Sequence, residues 1–173
     1  STAATAAPLA LPKRIEVAAE NGKVDEVQLW LGGAGRADAT CVHRGVSGCT
    51  LLLIAAEHGH KEMVELLLKR GAEADARDSE GCTALMVAAA KGHERVAEML
   101  LWHGAGVNAR DNGGCTALKD AAYKGHERVV DTLIRHGAEI DLQNRVGDTA
   151  LNQAAAIGYP TVVRQLLRAG ADM

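Results

Sequence analysis

A phrase of twelve residues returns four times at one fixed step. Gly81–Gly92 reads GCTALMVAAAKG, and near-identical wording stands at Gly48–Gly59, Gly114–Gly125 and Gly147–Gly158, each 33 residues from the next. Self-similarity at such a period dictates an array of like units, each burying a face against its neighbours. A further glycine column, Gly71, Gly104, Gly137 and Gly170, keeps the same 33-residue step. Glycines at these fixed places mark backbone turns, some at positive φ.

Within one unit, Thr83–Ala90 is a short run rich in alanine. After Gly92 comes an amphipathic run in which Val96, Met99 and Leu100 fall at i, i+3 and i+4, one helical face. The unit therefore reads as a short helix, a turn, a second helix and a loop. The threonine before each first helix predicts an N-cap.

The wording G-C-T-A-L-x-x-A-A-x-x-G-H-x-x-V, followed by L-L-x-x-G-A-x-x-x-A-R-D, closely resembles the ankyrin repeat. The resemblance implies an all-α ankyrin-repeat solenoid of about five stacked helix-turn-helix units, a degenerate one followed by four full ones. The units are expected at 13–44, 45–77, 78–110, 111–143 and 144–173, behind a disordered lead-in at 1–12. The Ala/Thr-rich start lacks an initiator Met, so a processed or cut chain, or a transit-peptide remnant, is the alternative there. The family often carries T-P-L-H. Here Leu51, Ala84, Ala117 and Ala150 replace the proline, and Leu53, Met86, Lys119 and Asn152 replace the histidine. That loss implies one hydrogen bond fewer per unit.

The first unit reads as a cap. Val24, Val27, Trp30 and Leu31 form its second-helix stripe, and Lys13, Arg14, Glu16 and Glu20 are expected to point outward. From Gly32 to Ser47 the spacing runs four residues long. This Gly-rich stretch reads as a longer, mobile loop, and the resemblance makes it an elongated finger.

Composition excludes several function classes. The net charge of −3 argues against nucleic-acid binding, and no apolar run approaches the roughly 20 residues that span a bilayer. Cys49, Cys82 and Cys115 recur at one position, so successive thiols lie about 10 Å apart, too far for disulfides. Cys41 stands apart from that column. Free thiols fit a reducing compartment, cytoplasm or nucleus. His60, His93 and His126 also recur, again too far apart to share one metal ion. The resemblance gives them a structural role at the turn. Neither a phosphate loop nor a nucleophile–base pattern is present, so no catalytic residue, cofactor or metal ligand is assigned.

Positions that vary between units are the ones free for partners. The resemblance places the contact on the concave face, made by the fingers and first helices. The candidate contact residues are Glu57, His58, Arg77, Glu80, Lys91, Arg110, Asn112, Tyr123, Lys124, Arg145 and Asp148. Tyr123 reads as an amphipathic anchor rimmed by Lys91, Lys124, Arg77 and Arg110, which suits an acidic, extended partner segment. Trp102 is expected on the outer side. The function expected is a monomeric, non-catalytic protein-binding module. The alternative is a regulatory or targeting segment of a larger enzyme, channel or scaffold.

Overall fold

A computed structural model describes residues 10–172. Among them, ten helices follow one another in pairs: α1 (Lys13–Glu20) with α2 (Val24–Gly32), α3 (Leu51–Glu57) with α4 (Lys61–Lys69), and α5 (Ala84–Lys91) with α6 (Glu94–Trp102). Then come α7 (Ala117–Lys124) with α8 (Glu127–Arg135), and α9 (Ala150–Ile157) with α10 (Pro160–Arg168). First helices pack in one row and second helices in another. The arrangement is the expected helical solenoid.

Local chemistry explains each pair. Thr50, Thr83, Thr116 and Thr149 cap the first helices, their hydroxyls accepting from the backbone N–H three residues on. The first helices are hemmed in on three sides, so Ala55, Ala56, Ala88, Ala89, Ala121 and Ala122 are wholly buried where larger side chains would not fit. Second helices bury one stripe only, as with Val96, Ala97 and Leu100 of α6. Gly92 closes α5 at φ 76 and lets the chain reverse.

Four expectations are corrected. The insertion is not a mobile loop: Thr40–His43 (β1) pairs antiparallel with Val46–Thr50 (β2), a hairpin added to the helical array. The hairpin sets Cys41 directly opposite Cys49, so Cys41 does not stand apart. Both thiols are free, and their hydrogens go to carbonyls, Cys41 to Cys49 O at 3.6 Å and Cys49 to Val46 O at 3.4 Å. Glu16, expected outward, is buried because the hairpin folds over it and brings His43 within 2.9 Å. Of the lead-in, 1–9 lies outside the described residues. Ala10–Pro12 belongs to the fold: Leu11 is buried, and its N–H donates to Thr40 O at 2.9 Å.

Candidate partner-binding face

The fingertips and first helices share one face, and hydrogen bonds lock its units in register. His60, His93 and His126 donate through Nε2 to Glu20 O, Glu57 O and Ala90 O at 2.8, 2.9 and 3.0 Å. A carbonyl only accepts, so the ring must donate. Each ring thus staples one unit to the preceding first helix, the structural role expected. The fingers form a second ladder: Ser79 N donates to Ser47 O, Asn112 N to Glu80 O, and Arg145 N to Gly113 O. Arg77 donates to Arg110 O at 2.6 Å, and Arg110 donates in turn to Gln143 O.

This locking changes the reading of the candidate residues. Three cations of the expected rim engage the scaffold, and the fourth, Lys124, stays exposed. Arg77 and Arg110 bind carbonyls of the next finger, and Lys91 lies 3.3 Å from Glu57. Asn112 donates from its side chain to Ser79 O at 3.0 Å, so it too serves the ladder. His58 caps its own helix, with Nδ1 at 2.9 Å from Ile54 O, and stacks on His60. Glu57 is the hub of a network. His43 Nε2 lies 3.2 Å away, Arg44 pairs with it, and Lys91 reaches it from α5. Burial alone would push the Glu57 carboxyl up, but Lys91, Arg44 and His43 outweigh that and hold it below its usual range.

Other candidates stay available. Glu80, Lys124 and Arg145 are exposed, and Tyr123 is 49% exposed with Lys124 Nζ 5.1 Å from its ring centre. Asp148 contributes its carbonyl inward, to Lys119 Nζ. Lys119 is buried at the family's histidine position, so here the lost hydrogen bond is replaced by a link to the next finger. Trp102 is exposed, as expected, and sits edge-on to His136.

The sequence reading missed the column just beneath this surface. Ile54, Val87 and Asp120 occupy one register position in successive first helices, and the break from aliphatic to carboxylate was a usable signal. Ile54 and Val87 line a slot of about 230 Å³ between the hairpin and the next finger, with Cys49, Leu53 and Cys82. Asp120 has no hydrogen bond from its carboxylate among the described residues, and burial, helped by Asp111, pushes it up to about 7. Burial pushes the thiols of Cys49 and Cys115 up, and that of Cys82 up to about 12, which disfavours the thiolate form at the recurrent cysteines.

A family model described as Ankyrin repeats (3 copies) matches residues 15–111 and, again, 103–173. A search of curated proteins returns no match.

Proposed function

Because the chain belongs to the ankyrin-repeat family, whose repeats generally serve as protein–protein interaction modules, we propose that it grips a partner protein on the face shared by its fingertips and first helices. One observation carries this reading. Three inter-unit ladders of hydrogen bonds fix the backbone of that face, while the side chains displayed on it change from unit to unit. A face ordered beforehand loses little entropy when a partner docks, so more of the contact energy remains as affinity. Tyr123 is the anchor: a half-exposed aromatic whose ring can bury while its hydroxyl stays polar. Within a longer chain, the same face would bring an attached working domain to its target.

The test uses a partner captured by the intact chain and then titrated against it. Tyr123→Ala should weaken binding by roughly 5- to 30-fold, in line with about 1–2 kcal/mol for an aromatic anchor. Unchanged affinity for that variant would remove the face from consideration.

A further inference from the structure

The sign of charge along the groove tells what kind of segment fits it. Cys82 sits at its middle, half-buried between two fingers. After burial itself, the groups acting most on its thiol are Asp78, Asp111, Asp120 and Glu80, all carboxylates. On the hairpin side the carboxylates are paired. Arg44 and Lys91 face Glu57, while His43 and Lys13 face Glu16. On the Cys82 side no ion pair among the described residues reaches Asp78, Glu80, Asp111 or Asp120, while Arg77 and Arg110 keep their charge and turn to finger carbonyls. Asp78 Oδ1 and Asp111 Oδ1 accept only turn amides, leaving each a second oxygen. Glu80 is exposed, and Asp120 interrupts an aliphatic column without a hydrogen-bond partner among the described residues. Beside these acids lies the slot floored by Leu53, Ile54 and Val87.

We propose that this groove takes an extended segment of a partner protein carrying a lysine or arginine beside an aliphatic residue. The aliphatic side chain fills the slot, and the cation sits among Asp78, Glu80, Asp111 and Asp120. The assignment rests on the face being the docking surface, and it reverses the charge the sequence led one to expect. Charge complementarity carries it: a carboxylate kept in a half-dry groove without a partner loses stability for the free protein, and an incoming cation restores that loss. The same cation would join Lys119 and Lys124 in holding Asp120 ionised against burial and Asp111. Capture near neutral pH should therefore release a proton.

The experiment selects a displayed library of random linear nonapeptides on the intact chain and measures the enriched peptides by fluorescence anisotropy. Enrichment of Lys or Arg next to an aliphatic residue is expected. Affinity for such a peptide should fall at least tenfold in Asp120→Asn combined with Glu80→Gln, and stay unchanged in Glu62→Gln, which removes one charge from α4. Binding should also be several-fold tighter at pH 8 than at pH 6, with that dependence lost in Asp120→Asn. Since the asparagine is isosteric, loss of binding would not report unfolding, and melting curves of each variant check this. Enrichment of acidic or purely apolar peptides that still require Tyr123 would overturn the charge assignment and leave the docking face intact. Peptides indifferent to every substitution on this face would overturn both. No enrichment at all would overturn the proposal.

Discussion

Asp120 is a residue whose cost to the fold can be measured. Its carboxyl is raised in the folded chain, so its stabilising contribution is complete below the ordinary carboxylate range, near pH 4, and is lost as pH climbs through about 7. Asp120→Asn removes that decline. The variant should match the parent near pH 4 and exceed it at pH 8 by roughly 2–4 kcal/mol, as denaturant melts at the two pH values would read. Parallel curves at both pH values would show that the carboxylate is already satisfied. Two glycines make a second test. Gly104 has φ 85 with nothing within 4 Å of an added Cβ, whereas at Gly92, φ 76, that Cβ would stand 2.7 Å from His126 Nδ1. Gly104→Ala should cost about 1–2 kcal/mol for the left-handed backbone alone. Gly92→Ala should cost about 1–3 kcal/mol more, because the ring stapling the two units must move. Equal losses, read from urea unfolding, would mean that the ring yields freely.

The hairpin is the element that departs most from a uniform array. It closes over α1 and is pinned there by His43, whose Nδ1 meets Glu16 and whose Nε2 meets Glu57. Burial would push the Glu16 carboxyl up, yet the hydrogen bonds from His43 and Lys13 outweigh it and hold the group low. His43→Ala takes away the buried partner and leaves Glu16 with Lys13 alone. We expect a loss of about 2–4 kcal/mol, since stranding one half of a buried pair costs more than the pair is worth. The damage should stay local. Hydrogen exchange at Leu11, β1 and α1 should quicken, while α7–α10 keep their protection. Acceleration spread evenly over all ten helices would contradict a chain whose units touch only their neighbours. Among the charged residues, this network is where sequence reasoning went furthest astray. Glu16 looked like a solvated helix position because its partner lies 27 residues away on an insertion without a repeat pattern.

Across the whole molecule, stability runs along a line. First helices pack on first helices, second on second, and the stapling histidines, finger amides and linking arginines each reach one neighbour. Terminal units have one such interface and inner units two. Exchange protection should therefore rise from α1–α2 and α9–α10 toward α5–α8, and a flat profile would show all-or-none unfolding instead. The last unit is further weakened. Tyr159 replaces the stapling histidine, and the buried Gln165 Oε1 finds no partner among the described residues. The period alone determined the helix pairs, the turn glycines and the threonine caps, and the family resemblance added the structural role of the histidines. Each depends on residues a few positions apart or one unit apart, and repetition writes such spacings out several times over. Only the tertiary structure decided which charges are free. Arg77, Arg110 and Lys91 look solvated in a linear string, and it is the stacking of units that brings a carbonyl or a carboxylate to each. Stacking also gathered Asp78, Glu80, Asp111 and Asp120 around Cys82 without an ion pair among the described residues, a juxtaposition no linear spacing gives.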